Sequence, residues 1–334
     1  MKVDFTPLKP EPQPKDTFAN VIDRIASGKV VPIVGNSFTD DLVFGSHGNV
    51  VKWWATYTNY PHSDNGDSLP QIAQYRNFVP HRESLGDDLW IKEYYIKYLK
   101  AALQHVAEQQ GVSSQIRREV KNQERELTPS QIARRLNYPS INASSENPLL
   151  LLAAMPLPIY ITTSYHDYLE VALREQMHKR PQTEICFWHE GLYNIPSVLR
   201  QEGYKPSPEE PLVYHLYGLD SYPESLVLTE DDHLDFLANI SKDAKSIPPR
   251  VKQALNDSSL VLIGYDPYEW DFRVLFRGLI ALRTRNLASI AIQLREGAVN
   301  REYIQNYLRR VDFEVVWKSP GEFIVELYEG WGGP

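Results

Sequence analysis

The feature that most constrains this chain is a repeated unit: a short unbroken apolar run that stops at glycine or at a cluster of hydroxyls, followed by a helical pattern. Lys29-Val30-Val31-Pro32-Ile33-Val34 stops at Gly35, and Leu260-Val261-Leu262-Ile263 stops at Gly264. A strand that is apolar at consecutive positions presents apolar groups on both faces, which suits a parallel sheet covered by helices on both sides. Further strands are predicted at 158–163, 184–188, 212–217, 289–294 and 313–317. Helices are predicted over 165–176, 230–240, 249–255, 268–283, 299–309 and 320–328. Strand and helix alternating in this way predict an α/β fold built on a doubly wound parallel sheet.

Two stretches depart from the alternation. Asn36 to Asp41 reads as a tight polar turn, and the chain reads as irregular from there through Gly45, Gly48 and Pro61. From about 65 to 148 the texture is helical, with Ile72, Tyr75 and Val79 at one spacing and Ile91, Tyr94, Tyr95, Tyr98 and Leu99 at another. This predicts a helical insertion between two strands, its aromatic stripe serving as core. Residues 1–17 are polar and proline-rich and read as a flexible arm before a single domain over 18–330.

Composition narrows the function classes. Lys plus Arg is 35 against 43 Asp plus Glu, a net charge of −8, which argues against nucleic acid or an anionic membrane as the main partner. One cysteine, Cys186, cannot form an internal disulfide or a thiolate zinc cluster. No apolar run reaches the length of a membrane span, and the expected compartment is the cytoplasm.

Ligands of open parallel sheets bind beyond the carboxyl ends of the strands, where helix N-termini aim free amides at the crevice. Four loops are placed there. In Gly35-Asn36-Ser37-Phe38-Thr39-Asp40, a glycine and small polar residues either admit a pyrophosphate or form an ordinary capping turn. In Thr163-Ser164-Tyr165-His166, the hydroxyls either contact a ribose or cap a helix, and His166 is available for proton transfer. His166 and Glu170 are spaced like a metal pair, but no third ligand is indicated, so no metal is expected. In His215-Leu216-Tyr217-Gly218, strand alternation puts His215 and Tyr217 on one face, and Gly218 permits a close approach; a buried structural histidine is the other reading. Thr229-Glu230-Asp231-Asp232 reads as a helix cap. After Gly264, Tyr265 and Asp266 lie at the same edge, with Asp266 able to meet a ribose hydroxyl.

In this order, Gly35-Asn36-Ser37-Phe38-Thr39, Thr162-Thr163-Ser164-Tyr165-His166, His215-Leu216-Tyr217-Gly218, the Leu262-Ile263-Gly264-Tyr265 strand end and Trp317-Lys318-Ser319-Pro320-Gly321-Glu322-Phe323 resemble the sirtuin-like NAD-hydrolysing family of bacterial anti-phage defence proteins. The resemblance spans about residues 18 to 328 and implies a Rossmann-like sheet with a helical insertion. It implies NAD as substrate or ligand, with Gly35 to Asp40, Thr163, Gly218, Gly264, Tyr265 and Asp266 around it. Ser164 stands where the family has an asparagine that orients the water, His166 where it has an acid, and Tyr217 where it has the catalytic histidine. Ser37 and Thr39 replace the Gly and Ser of its phosphate loop. The four-cysteine zinc ribbon of sirtuin deacylases cannot be built from one cysteine, which argues against protein deacylation.

The activity implied is hydrolysis of NAD to nicotinamide and ADP-ribose, depleting NAD in anti-phage defence, with Ser164 orienting water and His215 or His166 handling the proton. Tyr217 is a poor base but can bond a ribose hydroxyl. The alternative is a catalytically degenerate nucleotide-binding sensor or scaffold subunit. Either version implies control by a protein encoded nearby or by homo-oligomerisation.

Overall fold

A computed structural model describes residues 17–61, 68–78, 89–138, 147–242, 247–282, 290–295, 300–309 and 313–333. The arm expected over 1–17 lies, but for its last residue, outside them, as does part of the expected insertion.

Seven strands form one sheet: β1 (Val30–Val34), β2 (Ile159–Thr162), β3 (Gln182–Ile185), β4 (Leu212–His215), β5 (Ser259–Ile263), β6 (Ile290–Leu294) and β7 (Phe313–Trp317). The order is β3-β4-β2-β1-β5-β6-β7, and every pairing is parallel. The fold is thus the parallel α/β class that the alternation predicts, Rossmann-like as the resemblance implies. β1 is fully buried and sits mid-sheet. After β1 the chain fills one half of the sheet, then crosses to the other half through β5. The β1/β5 boundary is therefore the place where loops diverge and a crevice opens.

Pro32 stands inside this central strand, where a missing N–H is ordinarily excluded. Its position resolves the conflict. Gly35 N–H donates to Ile263 O at 2.8 Å, while Val34 O accepts from Thr163 N–H at 3.0 Å. Odd positions of β1 therefore face β5 and even positions face β2. Pro32 faces β2, whose register with β1 begins only at Ile33–Ile161.

The ladder also runs past the strand ends. Thr162 Oγ1 donates to Val34 O at 2.9 Å, and Leu216 N–H donates to Thr162 O at 2.8 Å. Gly264 N–H donates to Gln293 Oε1 at 2.9 Å, and Gln293 Nε2 donates to Lys318 O at 2.6 Å. These bonds hold the strand-end loops in fixed positions.

The stretch after β1 differs from expectation. The polar turn and irregular segment are two helices, α2 (Asn36–Phe44) and α3 (His47–Tyr57), after α1 (Thr17–Ile25). Gly45 takes a left-handed φ of 79° as the stop for α2, and Ser46 Oγ accepts from Asn49 N–H to start α3. Polar residues that read as a turn are here the first turn of a helix. Between them and β2 come α4 (Leu69–Phe78), α5 (Leu89–Gln109), α6 (Ser114–Asn122), α7 (Pro129–Arg135) and α8 (Pro148–Ala154). Trp54 of α3 is fully buried against Tyr94, Tyr95 and Tyr98 of α5, so that aromatic stripe is core. The later helices are α9 (Tyr168–Glu175), α10 (Glu230–Lys242), α11 (Pro249–Asp257), α12 (Trp270–Leu282), α13 (Arg301–Arg309) and α14 (Pro320–Trp331). No described helix is long and apolar enough to cross a membrane.

Candidate functional site

The carboxyl ends of β1 and β5 meet through two glycines. A methyl group on Gly35 would stand 2.4 Å from Gly264 O, and one on Gly264, whose φ is 75°, would stand 2.5 Å from Phe38 Cβ. Neither position admits a side chain, so the start of α2 packs directly on the end of β5. Gly35 is the N-cap of α2 and offers no side chain to the first-turn amides, the arrangement that anion-binding loops use. Ser37 Oγ donates to Gly264 O and fastens the two loops together. Tyr265 bonds Thr163 Oγ1 through its hydroxyl at 3.1 Å, tying the β5 loop to the β2 loop across β1.

Beside these glycines lies a polar cavity of about 30 Å3, lined by Asn36, His47, Leu69, Pro70, Thr163, Tyr165, Tyr217, His233 and Glu269. That volume holds about two water molecules. A nucleoside enters only if the elements around it part, and two of these are α4 and α10. They are joined by a reciprocal pair of bonds, Gln74 Nε2 to Asp231 Oδ2 at 2.6 Å and Asp231 N–H to Gln74 Oε1 at 3.0 Å.

Four positions proposed for the crevice, Gly35, Ser164, Tyr217 and Gly264, do converge at this edge of the sheet. Their side chains have different neighbourhoods. Tyr217 and Thr163 line the cavity. Ser164 lies below it: its hydroxyl bonds Thr39 Oγ1 at 2.9 Å and accepts from His166 N–H at 3.3 Å. Thr39 in turn donates to Asn36 O at 2.8 Å, which clips the first turn of α2.

His215 is separated from Tyr217 despite the strand alternation, because β4 ends at His215. It is fully buried, with Nε2 at 2.8 Å from Glu170 Oε1 and Nδ1 at 3.1 Å from Ser164 O. Burial opposes its charge, but the Glu170 carboxylate and the Ser164 carbonyl overcome that and raise its pKa. Burial likewise pushes Glu170 up, and the His215 contact outweighs it and lowers the carboxyl below its usual range. This is a charged pair with both imidazole nitrogens committed, and it leaves His215 no lone pair for a proton in this conformation. His166 is also buried away from the cavity, stacked on Tyr168 with Nδ1 at 3.4 Å from Asp220 Oδ2. That carboxylate oxygen also accepts from the Ser130 amide at 2.7 Å and the Ser130 hydroxyl at 2.5 Å.

Two other positions have structural explanations. Gly218 has a φ of 86°, and a methyl there would meet Ser225 O at 2.3 Å, so the turn itself requires glycine. Asp266 is exposed and accepts from Tyr268 N–H at 2.8 Å, closing the turn before α12. Asp40 is buried and held by His47 Nδ1 at 2.7 Å, while Asp41 pairs with Arg295 and accepts from His47 N–H at 3.0 Å.

Sequence reading missed His47, His233 and Glu269. Burial lifts the Glu269 carboxyl above its ordinary range, with His47 opposing. The helix cap expected at Thr229 is present, Thr229 N–H donating to Asp232 Oδ2 at 2.9 Å and Asp232 N–H to Thr229 Oγ1 at 3.0 Å. Asp232 Oδ1 also pairs with Lys92 of α5 at 2.9 Å. This anchoring fixes the rotation of α10, and His233, the next residue, lines the cavity with its ring edge-on to Tyr217 at 5.2 Å. No group of three or more candidate metal ligands occurs among the described residues.

Fold and site together define a Rossmann-like α/β protein with a crevice at the point where its strand order reverses. Residues 158–316 match a family model described as a SIR2-like domain. This part of the chain is similar to that domain type, and the match runs from the start of β2 into β7. No curated protein matches the chain. β1, Gly35 and α2 lie ahead of the matched span, and β1 completes its sheet between β2 and β5.

Proposed function

We propose that this protein binds NAD at the β1/β5 crevice and hydrolyses its nicotinamide N-glycosidic bond, depleting NAD in bacterial anti-phage defence in the cytoplasm. The observation that carries the reading is the fusion of Gly35 and Gly264 beside an uncapped helix start and a polar cavity. Backbone amides of Asn36 and Ser37 suit a pyrophosphate, and Thr163 and Tyr217 suit the adjoining sugar. In the reaction, a water oxygen bonds the ribose anomeric carbon as the bond to nicotinamide breaks. Nicotinamide leaves neutral with the bonding pair, and the water's proton passes to an acceptor or to solvent. The leaving group needs no acid, so the protein's work is to hold the sugar, exclude bulk water and stabilise positive charge at the ribose. Glu269 lines the cavity and, when ionised, supplies negative charge of the required sign.

A second reading, NAD binding without turnover as a sensor or scaffold subunit, is favoured by the engagement of Ser164, His166 and His215 in internal bonds. Incubating the purified chain with NAD, alone and with the protein encoded beside it, separates the two. Nicotinamide release supports hydrolysis; a raised melting temperature without release supports the second reading; neither response overturns both.

A further inference from the structure

Two buried polar atoms of residues lining the cavity have no hydrogen-bond partner among the described residues. Asn36 Oδ1 belongs to a residue 7% exposed, and His233 Nε2 to one 1% exposed. Both residues line the same small cavity, which Leu69 and Pro70 shield. A buried polar atom left unpaired costs about 1–3 kcal/mol, so such atoms are ordinarily matched by a ligand or an ordered water.

The tautomer of His233 follows from its other nitrogen. Nδ1 lies 2.8 Å from Thr229 O, a carbonyl that only accepts, so Nδ1 carries the hydrogen and Nε2 presents a lone pair. Burial pushes its pKa down to about 4, which keeps the ring neutral at physiological pH. Asn36 Oδ1 is likewise an acceptor. Two acceptors, with the Glu269 carboxyl on the same wall, repel phosphate oxygens and call for hydroxyl donors. The contrast with the α2 amides, which are donors, gives the crevice a polarity: phosphates at the helix start, sugar in the cavity.

Resting on the NAD reading above, we propose that His233 Nε2 and Asn36 Oδ1 accept hydrogen bonds from the hydroxyls of the nicotinamide ribose, making His233, outside every strand-end motif, a substrate-binding residue. His233 rests edge-on against Tyr217 and is therefore held in place by a side chain that the strand end supplies.

The test uses the full chain with 15N-labelled histidine, the His233 resonance being assigned through H233N or H233Q. Expected is a shift of the His233 Nε2 signal on adding NAD or ADP-ribose, none with inorganic pyrophosphate, and an unmoved His215 signal. Expected too is at least about tenfold weaker binding of an NAD analogue lacking the 2′ and 3′ hydroxyls of the nicotinamide ribose, a difference that shrinks in H233Q. If NAD raises the melting temperature but leaves the His233 signal in place, the assignment of His233 is overturned and NAD binding stands. If NAD changes neither, the NAD reading fails and this proposal with it. A His233 shift with pyrophosphate alone overturns the polarity of the crevice.

Discussion

The two sides of the β2/β4 edge treat histidine in opposite ways. Behind the sheet edge, His215 is clamped between Glu170 and Ser164 with both nitrogens used, while across Tyr217 the ring of His233 keeps one nitrogen open to a cavity. Both are buried, so burial alone does not decide which is chemically available. What decides it is the partner: a carboxylate makes one a structural cation, and a carbonyl leaves the other a neutral acceptor. A histidine in a motif-like setting can therefore be scaffold, and one hidden in a helix cap can line a cavity.

The strongest way to break this comparison is to remove one partner of the buried pair. Glu170→Ala or His215→Ala leaves a charge or its partner unmatched in the core and is expected to cost about 3–5 kcal/mol in denaturant unfolding. A loss under about 1 kcal/mol would show that the pair is not the clamp described. Next in size is Gly264→Ala, which forces a side chain into a left-handed φ and onto Phe38. It is expected to cost about 1–3 kcal/mol, as read from the unfolding midpoint, and to weaken NAD binding with it.

The two histidines also give opposite pH signatures. His215 has a raised folded pKa, so its stabilisation is complete below the ordinary value of 6.5 and is lost as pH rises through the higher folded value. His233 has a depressed folded pKa, so stability is complete above 6.5 and is lost as pH falls towards about 4, because the unfolded chain takes up the proton more readily. Stability measured from pH 8 to 4 in wild type and H233Q is expected to differ in slope below 6.5 by up to about 1.4 kcal/mol per pH unit. Equal slopes would refute the neutral, open nitrogen of His233.

A gentler probe is Gln74→Ala, which severs the α4–α10 bonds at the surface. It is expected to change stability by about 1 kcal/mol or less yet to speed ligand association, as followed by stopped-flow binding. At the small end, Cys186 is fully buried and its thiol is pushed up to about 12, so native protein is expected to resist thiol reagents until it unfolds.

Much of the fold was legible because it rests on local signals. The runs ending at Gly35 and Gly264 are apolar on both faces, and the glycines are required by contacts one strand away. The strand-end loops were legible as a set for the same reason. Less legible was which side chains within them face the cavity. Whether Ser164 points at Thr39 or at a ligand depends on α2, which the sequence presents as a polar turn. His233 reads as part of a capping sequence, and the contacts that hold α10 from outside it, Lys92 with Asp232 and Gln74 with Asp231, are not visible in that sequence. Glu269 precedes α12, which starts at Trp270 rather than at the expected 268, and lines the cavity.

The position of β1 has a consequence for how the molecule is made. The strand that ends as the centre of the sheet precedes both of its neighbours in the chain, with Val34 waiting for Thr162 on one side and Ile263 on the other. Pairings so distant along the chain are slow to form, and until they do an apolar ribbon stays uncovered during synthesis. Pro32 removes one donor from that ribbon on the β2-facing side, where the finished sheet makes no use of it. The residue that looks out of place in the native strand thus leaves one pairing donor fewer while the strand waits for its neighbours.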